Sequence, residues 1–150
     1  MKLWHKDLVS VLPREQLVSQ WRECSAIAGA IKKNGEPNHL LVNKIMDFNY
    51  NHFITYSKLI RAEMTKRGYT TMNSVMDKIE SPLTEERVEI SFNELYSSWH
   101  NMRYLRQCYY NLQEKFDCGG ISKEDWAKIE RKMHKLEEER YNQMQLKESK

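Results

Sequence analysis

Residues 13–31 read PREQLVSQWRECSAIAGAI, and this stretch decides the fold class of the 150-residue chain. Its apolar side chains recur every three or four positions, the spacing that places them on one face of an α-helix. Pro13 suits the first turn of a helix, where a backbone N–H is not needed. We therefore predict a helix that starts at Pro13 and buries one stripe, made of Leu17, Trp21, Cys24, Ala28 and Ile31.

Helical spacing continues through the rest of the chain, which has only five glycines and three prolines to interrupt it. The sequence therefore predicts an all-α, compact single domain over residues 1–150, a bundle of three main helices plus an additional C-terminal helix. Capping and turn residues divide this region into four segments. The first is a second helix from Leu41 to near Gly68, and the sequence leaves open whether residues 47–51 interrupt it. The second is an irregular connection over residues 69–90 that contains one short helix. The third is a helix that the capping box of Ser91 and Glu94 opens and that ends before Gly119, and the fourth is a mostly polar helix that follows Ser122.

Composition excludes several classes of protein. No apolar run approaches the roughly 20 residues of a membrane-spanning helix, and the first residues lack the apolar stretch of a secretory signal, so we expect a cytoplasmic protein without a membrane partner. Three cysteines without metal-ligand spacing argue against a disulfide framework and a zinc site, and they predict buried or idle thiols. The five scattered histidines are expected to be structural, so we predict neither a metal nor a cofactor.

Positive charge is concentrated in the first part of the chain, although the net charge is only +3. Residues 1–68 hold 11 basic and 6 acidic side chains, whereas residues 69–150 hold 13 and 15. This asymmetry fits a protein with one face toward phosphate and another toward water.

One face of the first helix carries a lone carboxylate, Glu23, among small or uncharged side chains such as Gln16 and Gln20. Taken alone, this pattern is that of an exposed acidic residue with a helical partner. A catalytic role for Glu23 needs a separate reason.

That reason is an ordered set of short motifs: MKLWHKDLVS at residues 1–10, Gln16-Leu17, Trp21-Arg22-Glu23 and Gly29-Ala30. The segments KRGY at 66–69 and YLRQCYYNLQEK at 104–115 extend the set less distinctively. Over residues 1–117 the chain resembles the pyrimidine-dimer DNA glycosylases, the small phage-type repair enzymes also called dimer-specific endonucleases. Residues 122–150 look like an addition to that family.

The resemblance implies an all-helical domain whose N-terminal segment lies against the first helix. It also implies a DNA repair glycosylase with abasic-site lyase activity, in which an N-terminal amine attacks C1′ of the damaged nucleotide, forms a Schiff base and permits β-elimination. The damaged duplex is bent and a nucleotide is flipped out, because C1′ is inaccessible inside the stack. The catalytic residues implied here are Met1, Lys2, Arg22 and Glu23.

Positive and amide side chains on or near the first helix are the candidate DNA contacts. The expected partner is double-stranded DNA with damaged bases, bound by a monomer that associates with the nucleoid through DNA. These candidate contacts are Lys2, Arg14, Gln16, Arg22, Lys32 and Lys33.

Two positions depart from the family pattern. The family exposes the amine of a small second residue by removing the initiator methionine, but here residue 2 is Lys, which normally prevents that removal. The amine of Met1 and the ε-amine of Lys2 both stay open as nucleophiles. The arginine usually found four residues after Arg22 is replaced by Ala26. These departures leave two other functions open, a non-catalytic DNA-binding module of the same fold and a helical protein-interaction domain that uses its aromatic residues.

Overall fold

Helix α1 (Arg14–Asn34) forms where the sequence predicts it, in a computed structural model that describes residues 1–149. Pro13 immediately precedes the helix, and Gly35 ends it with a φ of 83°, a left-handed conformation that favours glycine. The predicted apolar stripe of α1 is confirmed as buried, from Leu17 through Ile31.

The rest of the fold is also helical, which confirms the all-α prediction. The described residues contain no strand, and none of their helices has the length and apolar character needed to cross a bilayer. α1 packs against both α2 and α3, whereas α5 packs against α4 and the N-terminal 3-10 helix. The elements after α1 are α2 (Asn51–Lys66), α3 (Asn73–Glu80), α4 (Met102–Asp117) and α5 (Lys123–Glu148), and the two 3-10 helices are Lys6–Val11 and Asn43–Asp47.

The predicted second helix is divided in two. The 3-10 helix Asn43–Asp47 ends before an extended residue, Phe48, and α2 begins only at Asn51. The cause is local, because the Asn49 side chain accepts a hydrogen bond from the Asn51 backbone N–H at 2.9 Å and so competes with helix formation. Leu41, which the spacing assigned to this helix, lies in a turn and is 55% exposed.

One of the two hydrogen bonds of the predicted capping box at Ser91 forms, but the helix that it predicts does not start there. The Glu94 backbone N–H donates to Ser91 Oγ at 3.3 Å, yet the chain continues in turns and α4 starts after Asn101. Tyr96 explains the difference, because its φ of 48° is left-handed and cannot continue a right-handed helix. Its ring is fully buried, so the turn delivers an aromatic side chain to the core.

Helix α5 begins at the predicted cap, where Ser122 Oγ accepts a hydrogen bond from the Asp125 backbone N–H at 3.1 Å. Its first half is held by aromatic stacking of Trp126 on Phe116 and Tyr109 of α4. Its second half exposes its large apolar side chains, Tyr141, Met144 and Leu146.

Two of the three cysteines lie in the core. Cys24 and Cys108 are buried, and burial raises the pKa of the Cys24 thiol to about 12 and that of Cys108 in the same direction. Cys118, immediately after α4, is exposed.

A buried histidine pair ties the N-terminal 3-10 helix to the turn before α4. His5 and His100 stack with ring centroids 5.0 Å apart, and His5 Nε2 donates to the backbone carbonyl of His100 at 2.8 Å. The Lys6 backbone N–H donates to His100 Nδ1 at 2.9 Å. Burial lowers the pKa of both imidazoles, that of His100 to about 2. Both rings are therefore neutral at physiological pH.

We expect this pair to make the protein sensitive to acid. His100 titrates near 6.5 in the unfolded chain, so below that pH the unfolded state binds the extra proton. Its stabilising contribution is complete above about pH 6.5 and falls by about 1.4 kcal/mol per pH unit as the pH approaches 2. Urea unfolding at pH 7, 5.5 and 4 measures this slope. His100→Gln should flatten it, while His134→Gln, a change at an exposed position, should not. Equal slopes in the two variants would refute the assignment.

Candidate active site

The buried amide of Gln20 holds the first residues of the chain against α1. Its side chain is fully buried, and it both donates and accepts hydrogen bonds. Gln20 Nε2 donates to the backbone carbonyl of Lys2 at 2.9 Å, and Gln20 Oε1 accepts the backbone N–H of Trp4 at 2.8 Å. These two hydrogen bonds therefore hold the segment before the first 3-10 helix against α1.

Two tyrosine hydroxyls also hold this segment. Tyr56 of α2 places its hydroxyl 2.6 Å from the carbonyl of Trp4 and 2.9 Å from Gln20 Oε1. Tyr104 of α4 donates to the carbonyl of Leu3 at 2.5 Å. Because the side chains of Leu3 and Trp4 are also buried, the direction in which the chain start leaves the core is fixed.

Glu23 lies one turn along α1 from Gln20, and the same amide reaches it. Gln20 Nε2 is 3.3 Å from Glu23 Oε2, so one side chain contacts both the N-terminal segment and the carboxylate. Partial burial raises the pKa of Glu23, and this effect is opposed by the positive N-terminal amine, the Lys2 backbone and His39. The positive N-terminal amine therefore favours the charged form of this carboxylate.

One cleft of about 380 Å³ contains these groups. Glu23 and Gln16 line it from α1, and Met1 and Lys2 line it from the N-terminal segment. Gln16 Oε1 is buried and has no hydrogen-bond partner among the described residues. The other lining residues are Trp4, Glu15, Ser19, Leu41, Asn111 and Lys115.

The four other sequence-predicted contacts lie outside this cleft. Arg22 is exposed and does not line it, because neighbouring residues of a helix differ by about 100° in direction. Arg14 packs over the ring of Tyr69, 5.1 Å from its centroid. Lys32 Nζ donates to the carbonyl of Ser81 at 3.2 Å, and Lys33 is exposed in the last turn of α1.

Sequence reasoning missed the residues that position the chain start. Gln20 carried a usable signal, since it falls three residues after Leu17 and four before Cys24, within the apolar stripe of α1. A polar residue on a buried stripe needs hydrogen-bond partners. Asn111 and Lys115 of α4 had no such signal, because only the tertiary fold brings them to the cleft.

The described residues hold no group of three His, Cys, Asp or Glu side chains arranged to bind a metal ion. The cleft does contain an amine and a partly buried carboxylate, because Met1 and Glu23 both line it. An amine can act as a nucleophile that forms a Schiff base, and a carboxylate with a raised pKa suits proton transfer.

Comparison with known proteins identifies the family. Residues 1–77, which include the N-terminal segment, α1 and α2, match the family model described as pyrimidine dimer DNA glycosylase. No curated protein and no solved structure matches the chain. The resemblance predicted for residues 104–115 lies beyond the matched range. Because the match covers half of the chain and includes the segment that lines the cleft, the chain belongs to the pyrimidine dimer DNA glycosylases, a family of DNA repair enzymes.

Proposed function

We propose that this protein excises pyrimidine dimers from duplex DNA through a Schiff base and then cleaves the strand as an abasic-site lyase. The observation that carries the proposal is the placement of the first two residues and Glu23 around one cleft. No cofactor is needed in this reaction, because the nucleophile and the carboxylate are both parts of the chain.

The reaction starts when the neutral amine of Met1 attacks C1′ of a flipped-out nucleotide. The C1′–N bond breaks and the base leaves with its electron pair. Loss of a proton from nitrogen and opening of the sugar ring, in which O4′ gains a proton, give the imine. Loss of a proton from C2′ then expels the 3′ phosphate. Glu23 stabilises the positive charge that develops on the sugar and carries the protons between these steps.

The amine of Met1 is the first candidate for the nucleophile, because it belongs to the residue that lines the cleft together with Glu23 and corresponds to the N-terminal amine of the family. The ε-amine of Lys2 lies 5.0 Å from the centroid of the Trp4 ring, a cation–π contact that holds the side chain on that ring. Attack on the sugar would require Lys2 to leave this contact, which places it second.

The proposed DNA contacts fall into two groups. Gln16 contacts the nucleotide in the cleft through its side-chain amide. Positive side chains outside the cleft contact phosphates of the flanking duplex, which fixes the register of the protein on DNA without reading sequence. These are Arg14, Arg22, Lys32 and Lys33, with Lys2 at the cleft edge.

A borohydride-trapping experiment tests the proposal. Untagged protein is incubated with duplexes that carry a thymine dimer or an abasic site, reduced, and digested for mass spectrometry. We expect a covalent adduct on the amine of Met1, retained in Lys2→Arg. An adduct found on Lys2 and lost in Lys2→Arg would transfer the role to the ε-amine. Salt-dependent DNA binding without any adduct would establish the non-catalytic DNA-binding module instead.

A further inference from the structure

Helix α3 packs against α1 at a glycine and lays a lysine over it. A methyl group on Gly29 would lie 3.2 Å from Lys78 Cε and 3.3 Å from Lys78 Nζ, so the end of this lysine rests on the backbone of α1. Glycine permits this close approach because it has no side chain. The residue after α3 is also held, since Lys32 Nζ of α1 donates to the carbonyl of Ser81 at 3.2 Å. The contact therefore places a cation from α3 at a defined position on α1.

The ammonium group of Lys78 is available to a ligand. The side chain is exposed, and within the described part of the chain it takes part in no ion pair. The lysine ammonium groups that donate hydrogen bonds there are those of Lys6 and Lys32. Lys78 thus keeps three N–H donors for solvent or for a bound anion.

Lys78 adds a charge to one face of α1. Four residues of this helix follow one another at spacings of four, three and four and therefore share that face, namely Arg22, Ala26, Gly29 and Lys33. Arg22 and Lys33 are exposed cations, whereas the two residues between them are small and uncharged. Lys78 brings a positive charge to the gap between those two cations. We call Arg22, Lys78 and Lys33 the basic row.

The basic row begins beside the candidate active site. Glu15 and Ser19 line the cleft from α1, and Arg22 follows them by seven and three residues, on the same side of the helix. From Arg22 to Lys33 the helix rises about 16 Å at 1.5 Å per residue. This length corresponds to roughly five nucleotide steps of one strand at about 3.4 Å each. A DNA strand that passes through the cleft can therefore meet the row over several phosphates.

We propose that Lys78, held over Gly29, binds a phosphate of the DNA strand that leaves the cleft along α1 between Arg22 and Lys33. This inference rests on the proposed function, because that function places the reacting strand in the cleft. An ammonium group contacts a backbone phosphate without reading sequence, so Lys78 sets the path of the strand and not the choice of base. Each phosphate that a cation neutralises releases condensed counterions, which makes the contact strongest at low salt.

The salt dependence of DNA affinity tests this contact. Affinity for a short duplex with an uncleavable abasic analogue is measured between about 50 and 200 mM salt. In Lys78→Gln, the slope of log affinity against log salt should become less steep by about 0.9, and Lys78→Arg should keep the original slope. Lys147→Gln removes the same charge from the exposed end of α5 and should also keep it. Equal slopes in Lys78→Gln and Lys147→Gln would overturn the proposal.

A second measurement locates the phosphate. Neutral methylphosphonates replace single phosphates of the strand that carries the abasic analogue. We expect a replacement that weakens binding by the unmodified protein and has no effect on Lys78→Gln, within about five nucleotides of the analogue. Sensitivity at the same positions in both proteins would overturn the contact.

The covalent adduct separates this inference from the proposed function. Absence of any adduct in the unmodified protein would refute the glycosylase, while the salt slopes and the methylphosphonate pattern would still decide whether Lys78 binds phosphate. An adduct together with an unchanged slope in Lys78→Gln would refute the contact and leave the glycosylase intact.

Discussion

Glu23→Gln should slow base excision strongly while making the protein more stable at neutral pH. The substitution removes the carboxylate that stabilises positive charge on the sugar and relays protons, and such groups contribute about 10²- to 10⁴-fold to rates. Single-turnover excision from a thymine-dimer duplex should fall by that factor. Affinity for the same duplex should change little, because the substitution removes no positive charge.

The gain in stability follows from the raised pKa of Glu23. A carboxyl whose pKa is higher in the folded protein stabilises it at low pH, and this contribution is lost as the pH rises through the folded value. At pH 7 the charged carboxylate of Glu23 therefore lowers the stability of the folded protein. Glutamine is neutral and removes this penalty, and its side-chain oxygen can still accept the hydrogen bond from Gln20 Nε2. The melting temperature should rise at pH 7 and rise less at pH 4. Glu148→Gln, at the exposed end of α5, is the control. A destabilised Glu23→Gln protein at pH 7 would contradict this account.

The same raised pKa shapes the pH dependence of excision. Glu23 should gain its proton at a higher pH than an ordinary glutamate as the solution becomes more acidic. The acidic limb of the rate profile should therefore begin above the usual range of a free carboxyl group.

Gln20→Ala should impair both the fold and the chemistry. The substitution removes the amide that hydrogen-bonds to the backbone carbonyl of Lys2 and to the backbone N–H of Trp4. Leaving buried polar groups unpaired costs about 1–3 kcal/mol each, so we expect the free energy of unfolding to fall by about 2–4 kcal/mol in urea titration. Gln145→Ala, exposed near the end of α5, should cost almost nothing.

The effect on chemistry separates a positioning role from a structural one. Under conditions where Gln20→Ala is still folded, the chain start is no longer aligned with Glu23, and a displacement of about 1 Å can lower a rate about 10²-fold. We expect the trapping rate to fall while affinity for an uncleavable abasic duplex stays within a few fold. A folded variant that traps at the normal rate would show that Gln20 serves stability alone.

The sequence predicted the helices whose signals are local. The stripe of α1, the glycine after it and the Ser122 cap all depend on neighbours within a few positions, and all appear in the structure. The helix expected at Ser91 failed because a local cap was overridden by tertiary packing. Burial of Tyr96 outweighed the left-handed backbone that its turn requires.

The candidate site was predicted in part for the same reason. Glu23 and the first residues came from motifs near the start of the chain, and they share a cleft. The family resemblance placed Arg22 with them, but its side chain is exposed and does not line the cleft, because adjacent positions on a helix face different directions. Tyr56 and Tyr104 are 52 and 101 residues away from the backbone groups that they hold, and no spacing rule links such distant positions.

The unequal burial of the three thiols makes this protein convenient for fluorescence work. A maleimide dye reacts with accessible thiolates, so Cys118 should be labelled while Cys24 and Cys108 are protected by burial and by their raised pKa values. Cys118 follows Lys115, which lines the cleft, by three residues. A single dye attached to the natural chain would therefore sit close enough to the cleft to report the arrival of DNA, without any engineered cysteine.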